Sequence, residues 1–327
     1  MNPIFYVNLG PIKLNQILKL ISAEIIGLNE NKEFNEFAGI DKIKSIDDTI
    51  SFIYENYKNK ISISSNVNLI ISTNEKDKFS EFKNLVLVNN VHEAVAKLSS
   101  AFYRDVNDND INLHNTSTIG SNCDISKKAI IKKGVIIGKN SIIKDGAVIN
   151  TNCILGENSL IEENTVISNA LIGDNVRIGR NTSIGQPGFG FAIDNIANHK
   201  IYHLGRVILQ TNVNIGSNCC IDRGSFGDTI IGENSFFDNL CHIAHNVVIG
   251  NNCIFAAMAG IAGSSIIGNS VMAGGQVGIS GHLNIGNNVN IAAKSAVLKN
   301  VQDNCSIMGN PAIDKYKYIR KYKKFYG

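Results

Sequence analysis

Residues 231–297 read IGENSFFDNLCHIAHNVVIGNNCIFAAMAGIAGSSIIGNSVMAGGQVGISGHLNIGNNVNIAAKSAV. An apolar residue returns at every sixth position of this stretch. Six is not a helical period, because the apolar face of a helix returns every 3.6 residues. It is a multiple of two, so each unit can be a short strand that always turns its apolar residue inward. The apolar positions, of which only Ala273 is small, are Ile231, Phe237, Ile243, Ile249, Phe255, Ile261, Ile267, Ala273, Ile279, Ile285, Ile291 and Val297.

The same period begins upstream at Ile119 and gives about 26 units. Glycine often follows the apolar residue and asparagine often lies three positions after it, and both residues accept the positive φ that a repeated corner requires. Three strands and three corners close a coil of about 18 residues, so the sequence predicts a parallel β-helix of roughly nine coils. Five cysteines share one corner position, where we expect small core side chains: Cys123, Cys153, Cys219, Cys241 and Cys253.

Composition excludes several classes of protein. Hydrophobic residues make up 44% of the 327 residues, which excludes global disorder. The formal net charge of +3 is too small to indicate nucleic-acid binding. No apolar run approaches the roughly 18 residues of a membrane span, and residues 1–15 do not have the pattern of a secretory signal. The seven cysteines form no CxxC pair, so a reduced, cytoplasmic setting is expected.

The repeat divides the chain. Residues 1–105 lack it. Residues 13–28 have helical apolar spacing, two strands follow (66–73 and 83–90), and 91–103 have helical spacing again, which predicts a small α/β domain. Polar residues 106–118 are expected to be a linker and 119–308 the β-helix. Residues 309–327 are expected to be a short basic helical tail, since 314–327 hold six basic residues and one acid. Residues 185–214 interrupt the repeat, and an excursion of this length is typical of a functional loop.

A histidine and a set of small residues mark a candidate site. His245 lies at a corner, and the residue about one coil further on is Gly263. Stacked small residues on successive coils beside an imidazole would leave a shallow apolar groove that suits an acyl chain. The groove residues predicted in this way are Ala256, Gly274, Gly278, Ala292 and Ala296.

Four motifs make the prediction more specific: GFGFA at 188–192, IDRG at 221–224, DNLCHIAHNV at 238–247 and GISGH at 278–282. With the hexad repeat, they resemble the UDP-3-O-(3-hydroxyacyl)glucosamine N-acyltransferases of lipid A biosynthesis. The resemblance implies a left-handed β-helix, a uridine-binding N-terminal domain, a C-terminal helical tail and a homotrimer with the groove between neighbours. It also implies 3-hydroxyacyl-acyl carrier protein as acyl donor, through its phosphopantetheine arm, with no cofactor or metal of the enzyme's own.

The resemblance also assigns roles to residues. It implies that His245 is the general base and that the backbone N–H of Gly263 is the oxyanion donor. The residues implied to bind the sugar nucleotide are Asp238, Asn239, Asn246 and His282, with Phe52, Asn56 and Tyr57 for the uridine and Tyr54 as a competing candidate. An acidic carrier protein would suit a docking surface on the basic tail, at Lys315, Lys317, Arg320 and Lys321.

Three other hypotheses stay open on the sequence alone. The first is an O-acyltransferase acting on UDP-N-acetylglucosamine, which shares the IAH motif. The second is a metal-dependent hydratase, for which His242, His245 and His282 are the available ligands. The third is a non-catalytic β-helix scaffold. The preferred acyl-chain length and the order of substrate binding are not determined by the sequence.

Overall fold

The computed structural model describes residues 5–40, 43, 45–54, 64–106, 117–193, 198–309 and 314–326. Before the repeat, the structure contains nine described strands and two α-helices. In chain order they are β1 (Tyr6–Asn8), β2 (Ile12–Lys13), α1 (Leu14–Ile21), β3 (Glu24–Ile26), β4 (Glu33–Phe34), β5 (Glu36–Gly39), β6 (Thr49–Phe52), β7 (Asn68–Ser72), a 3-10 helix (Thr73–Phe79), β8 (Asn84–Val88), α2 (Val91–Phe102) and β9 (Tyr103–Asp105).

Five of these strands form one sheet in the order β3-β8-β7-β6-β5. Its pairs are parallel except for β3, which is antiparallel to β8. Apolar residues of α1 and α2, among them Leu14, Ile17 and Leu98, are fully buried in the core between the helices and the sheet. Helix α1 is shorter than its apolar spacing predicted. It ends at Ile21 because Ser22 takes a positive φ of 49° and the chain then turns into β3.

The repeat folds as thirty short strands. They are β10 (Thr118–Ile119), β11 (Asp124–Ile125), β12 (Ile130–Ile131), β13 (Ile136–Ile137), β14 (Ile142–Ile143), β15 (Val148–Ile149), β16 (Ile154–Leu155), β17 (Leu160–Ile161), β18 (Val166–Ile167), β19 (Ala170–Ile172), β20 (Arg177–Ile178), β21 (Ser183–Pro187), β22 (Phe191–Ile193), β23 (Asn198–Lys200), β24 (Val207–Leu209), β25 (Asn214–Ile215), β26 (Cys220–Arg223), β27 (Thr229–Ile231), β28 (Phe236–Phe237), β29 (His242–Ile243), β30 (Val248–Ile249), β31 (Ile254–Phe255), β32 (Gly260–Ile261), β33 (Ile266–Ile267), β34 (Met272–Ala273), β35 (Gly278–Ile279), β36 (Asn284–Ile285), β37 (Asn290–Ile291), β38 (Ala296–Val297) and β39 (Ser306–Ile307).

All of these strands except β22 and β23 belong to three long parallel sheets. The first sheet runs from β10 to β36 with nine strands, the second from β11 to β39 with ten, and the third from β12 to β38 with nine. Successive strands pair in register, usually eighteen residues apart, as Gly260 does with Gly278. The predicted parallel β-helix of about nine coils is therefore confirmed. Its core is the column of inward apolar residues that the six-residue spacing identified.

Asparagine recurs in the repeat because the corners of the coil have a positive φ. Twelve predicted corner asparagines have φ between 55° and 62°, the left-handed region that asparagine accepts with little strain: Asn122, Asn140, Asn152, Asn158, Asn164, Asn175, Asn181, Asn218, Asn234, Asn246, Asn252 and Asn288. At the corner between the second and third sheets, later coils place other residues in the same conformation, namely Leu240, Met258, Gln276 and Lys294. The cysteines at the shared position have no disulfide, and four of the five are buried.

The interruption of the repeat connects the β-helix with the N-terminal sheet. Strands β22 and β23 form an antiparallel hairpin that extends from the coil. Ala192, Ile201 and Leu204 of this insertion are buried in the same core as α1 and α2. The Tyr202 backbone N–H also donates to Ser99 Oγ of α2 at 3.0 Å. The insertion therefore holds the N-terminal sheet against the side of the β-helix.

The C-terminal tail is a helix, α3 (Lys315–Tyr326). Its side chains at Lys315, Lys317 and Arg320 are exposed, and that of Lys321 lies outside the described part. No helix in the described ranges is long and apolar enough to cross a membrane.

Candidate active site

His245 lies at the corner between β29 and β30, half-buried. Its Nδ1 is 3.1 Å from Asn246 Oδ1. The orientation of the Asn246 amide is fixed, because its Nδ2 donates to the Gly227 carbonyl at 3.1 Å while its Oδ1 accepts from the Ser225 N–H at 2.9 Å. An amide oxygen can only accept, so His245 carries its proton on Nδ1. The Nε2 lone pair is then the basic position of the ring.

Gly263 lies on the next coil, directly beside that nitrogen. A Cβ at position 263 would lie 2.7 Å from His245 Cε1 and 2.8 Å from His245 Nε2, so a larger residue would displace the ring. The Gly263 carbonyl accepts from the His282 N–H at 3.0 Å. Among the described residues, no acceptor for the Gly263 N–H is recorded. A free backbone donor therefore lies one coil away from a basic imidazole nitrogen.

A buried carboxylate lies on the other side of the ring. Asp222 is 5% exposed, and a Cβ added at Gly188 would lie 3.2 Å from Asp222 Oδ2 and 2.9 Å from His245 Cβ. Asp222 Oδ1 accepts from Gln186 Nε2 at 2.7 Å, and Oδ2 is 3.6 Å from Nε2 of the exposed His242. Burial raises the pKa of Asp222, and His242 and the Gln186 hydrogen bond oppose that rise.

A second histidine packs against His245. The rings of His203 and His245 have centroids 5.3 Å apart and meet edge to face at 77°. His203 is only 2% exposed, and its Nδ1 is 2.9 Å from the Ile201 carbonyl. Burial, with the nearby basic groups of His245 and Arg223, lowers the pKa of His203 to about 4. His203 is therefore a neutral imidazole near pH 7.

The outward face of the third sheet is open beside these residues. His242, Gly260, Gly278 and Ala296 pair in register along it. A Cβ built at Gly260 or Gly278 meets no atom within 4 Å, so the backbone there faces open space. The remaining predicted groove residues, Ala256, Gly274 and Ala292, directly follow strands of the second sheet, at its corner with the third. The small residues therefore lie on the outward face of the third sheet and at the corner between the second and third sheets of the β-helix.

Other predicted site residues lie elsewhere in the chain. Asp238 and Asn239 occupy the preceding corner, separated from His245 by β29, and Asn239 Oδ1 accepts from the Ser217 N–H at 2.8 Å. His282 is exposed two coils beyond His245. Asn246, predicted to bind substrate, instead has its polar atoms engaged by Ser225, Gly227 and His245.

The predicted uridine residues are only partly described. Phe52 is 5% exposed and packs against Phe226 and Tyr54, with ring centroids 5.0 Å and 5.1 Å away, so it belongs to the core. Tyr54, the competing candidate, is half-buried and stacks on His92 at 4.2 Å. Asn56 and Tyr57 lie outside the described residues.

Sequence reasoning did not identify His203, Asp222 or Gln186 as site residues. All three come from the interruption or from the IDRG motif, and only folding brings them beside His245. The interruption of the repeat could have indicated them, because a long insertion in a regular coil often carries functional residues.

Parts of the chain match known proteins. Residues 228–263 match the family described as bacterial transferase hexapeptide (six repeats), and residues 113–225 match the GMPPB C-terminal domain. A UDP-3-O-acylglucosamine N-acyltransferase of Caulobacter vibrioides (strain NA1000 / CB15N) is 54% identical over 63 residues, which are 19% of each chain. The UDP-3-O-acylglucosamine N-acyltransferase 2 of Legionella pneumophila (strain Paris) is 49% identical over 142 residues, covering 42% of this chain and 41% of that one.

Among solved structures, the UDP-N-acetylglucosamine acyltransferase from Campylobacter jejuni superposes with a TM-score of 0.52 at 25% identity, covering 62% of this chain and 83% of that one. The chain spans less than half the length of the curated relatives it matches. The prediction of a left-handed β-helix is confirmed. The hexapeptide-repeat match is confined to residues 228–263, and the resemblance of the chain to the UDP-3-O-acylglucosamine N-acyltransferases is confirmed over the matched stretches.

Proposed function

We propose that the chain is an N-acyltransferase that moves a 3-hydroxyacyl group from acyl carrier protein to the 2-amine of a UDP-3-O-acylglucosamine, in lipid A biosynthesis. The observation that carries the proposal is the pairing of His245 with Gly263 on the next coil. It places a basic nitrogen and a free backbone N–H on adjacent coils of a protein whose curated relatives bear that name. Each of the two groups accelerates acyl transfer to an amine.

The chemistry follows from the tautomer of His245. Nε2 takes a proton from the amine as the amine nitrogen attacks the thioester carbonyl, and Asn246 Oδ1 holds the Nδ1–H of the resulting imidazolium. Negative charge develops on the carbonyl oxygen, where the Gly263 N–H donates to it. A donor of this kind lowers the barrier by about 3–4 kcal/mol. Collapse expels the phosphopantetheine thiolate, which recovers the proton from His245.

The open face of the third sheet supplies a place for the acyl chain. Gly278 and Ala296 continue along that face from the coil of His245, and Ala256, Gly274 and Ala292 border it. The glycines at positions 260 and 278 leave open space on this face for a methylene chain. A residue larger than alanine at the Ala292 or Ala296 end would shorten the groove.

Further parts of the proposal concern partners. Acyl carrier protein would dock on the basic helix α3, whose exposed Lys315, Lys317 and Arg320 complement its acidic surface. The uridine would be bound by the N-terminal domain, where Tyr54 is the described candidate. In a homotrimer, the corner of Asp238 and Asn239 and the exposed His282 would line the groove from a neighbouring subunit. The enzyme would work in the cytoplasm, without a cofactor or metal of its own.

The decisive experiment compares two histidine variants in a transfer assay. Purified wild-type chain, His245→Ala and His199→Ala are given 3-hydroxyacyl-acyl carrier protein with either a UDP-3-O-acylglucosamine or UDP-N-acetylglucosamine. We expect N-acylation by the wild type and by His199→Ala, and a loss of at least about 1000-fold in His245→Ala, because the base is gone. Circular dichroism and size-exclusion chromatography check that His245→Ala keeps its fold and assembly.

The alternatives give different results. Preferential acylation of UDP-N-acetylglucosamine would identify an O-acyltransferase. Full activity of His245→Ala would exclude the proposed base, and no transfer to either acceptor would favour a scaffold. Stoichiometric zinc by elemental analysis would favour the hydratase.

A further inference from the structure

His203 lies in the insertion, between β23 and β24, and its side chain is part of the environment of His245. Its ring meets that of His245 edge to face, with centroids 5.3 Å apart. At 2% exposure its side chain is buried rather than on the surface of the groove. His203 therefore contacts the base from a position that substrate does not reach in this conformation.

His203 is held by one hydrogen bond. The Ile201 carbonyl can only accept, so the Nδ1 that lies 2.9 Å from it carries the proton. Nε2 is then unprotonated, and within the described residues no donor bonds to it. The charged and titratable groups that influence the ring are His245, Arg223 and Lys200, and all three oppose its protonation. The ring of His203 is therefore held in place and uncharged.

Glycines make room for this arrangement. A Cβ at Gly190 would lie 2.8 Å from His203 Cε1, so position 190 must stay small for His203 to occupy its place. Gly188 lies beside Cβ and Cδ2 of His245, Gly263 lies beside Cε1 and Nε2, and Asn246 binds Nδ1. His203 supplies the remaining edge-to-face contact. The imidazole is therefore bordered by its own coil, the next coil and the insertion.

We propose that His203 is a positioning residue, whose ring packs against the His245 imidazole and fixes its orientation so that Nε2 faces Gly263. The inference rests on the function proposed above. Because His203 remains neutral, it does not compete with His245 for the proton that is transferred. Its contribution is geometric, and a base that rotates away from the amine loses turnover rather than substrate affinity.

Two amide substitutions separate contact from tethering. In His203→Asn the amide nitrogen replaces Nδ1 and can keep the bond to Ile201, but the ring is lost, with its Cε1 and Nε2. In His203→Gln the longer amide reaches the former position of Nε2 and restores bulk beside His245 without the bond to Ile201. We expect kcat to fall about tenfold or more in His203→Asn with KM for both substrates unchanged, and to stay within about threefold of wild type in His203→Gln.

A third variant displaces the His203 ring without changing the residue itself. Gly190→Ala pushes a methyl group against His203 Cε1, so we expect the kcat loss of His203→Asn to reappear. Ile193→Ala is the matched control, since Ile193 lies in the same hairpin, is 73% exposed and should leave kcat unchanged. Thermal unfolding of every variant accompanies the kinetics.

The outcomes are decisive. A normal kcat in His203→Asn, or a larger loss in His203→Gln than in His203→Asn, would overturn the positioning role, as would rate losses that merely follow thermal stability. If wild-type chain transfers no acyl group, the proposed function fails separately. Crystal structures of the two variants then test the inference alone: a rotated His245 ring in His203→Asn supports it, and an unmoved ring overturns it.

Discussion

At the scale of single residues, the neutral state of His203 links stability to pH. Burial lowers its pKa from 6.5 to about 4, so between these values the unfolded chain binds a proton that the folded chain does not. The contribution of His203 to stability is therefore fully present above pH 6.5 and is lost as the pH drops toward 4, by about 3 kcal/mol in total. Urea unfolding at pH 7 and at pH 4.5, at one protein concentration, measures this loss.

The matched variant is His203→Gln, which cannot titrate. We expect its free energy of unfolding to fall about 2–3 kcal/mol less than that of the wild type between the two pH values. Equal losses in both proteins would show that His203 does not carry the acid sensitivity.

The contrast between His245 and His203 shows what the sequence can predict at this scale. His245 occupies a definite place in the six-residue repeat, so counting along coils brought it to Gly263 without coordinates. His203 lies in the insertion, where no period relates it to the coils, and its contact with His245 arises only when the insertion packs back. Asn246 shows a second limit, because its position was predictable but its engagement by Ser225 and Gly227 was not.

At the scale of elements, the third sheet provides a test of the acyl groove. Gly278 lies in β35 on the outward face, and a Cβ there meets no atom within 4 Å, so a larger side chain fits without strain on the fold. Gly278→Leu should narrow the groove. We expect kcat/KM for long-chain donors to fall at least about tenfold relative to short-chain donors, as measured with carrier proteins bearing graded acyl chains.

The control for this substitution is Asn284→Leu, which adds leucine at the equivalent outward position of β36 in the first sheet. It should leave the chain-length profile unchanged. A Gly278→Leu profile that coincides with the wild type would place the acyl chain somewhere other than the third sheet.

Strands and corners of the β-helix were predictable from sequence, since each coil repeats one solution to burying an apolar residue and turning. Where asparagine gives way to Leu240, Met258, Gln276 and Lys294, the left-handed corner persists because neighbouring coils impose it through in-register pairing. The end of α1 at Ile21 was not predictable from periodicity, since β3 forms through pairing with distant β8.

At the scale of the whole molecule, one buried arginine joins the two parts of the chain. Arg223 of β26 is 0% exposed, and it donates to the carbonyls of Gly205 and Leu204 in the insertion and to the Asp105 carboxylate at the end of β9. The insertion also shares its apolar core with α1 and α2. The N-terminal sheet should therefore unfold together with the coils around the candidate site rather than as an independent domain.

Arg223→Met tests this coupling, because methionine fills similar space but leaves the three acceptors without their donor. The Asp105 side chain is 55% exposed and stays hydrated, but the carbonyls of Gly205 and Leu204 lose their donor in a buried place, at about 1–3 kcal/mol each. We expect that loss to appear at the junction of the two parts. Hydrogen exchange followed by mass spectrometry should show lost protection in α2 and the β22–β23 hairpin, with the coils after β30 unchanged.

Arg206→Met, which breaks the half-exposed pair with Asp228 in the neighbouring segment, is the matched control and should have a smaller effect. Uniform loss of protection along all coils in Arg223→Met would instead mean that the arginine stabilises the β-helix as a whole, and an unchanged pattern would mean that the shared apolar core alone holds the N-terminal sheet in place.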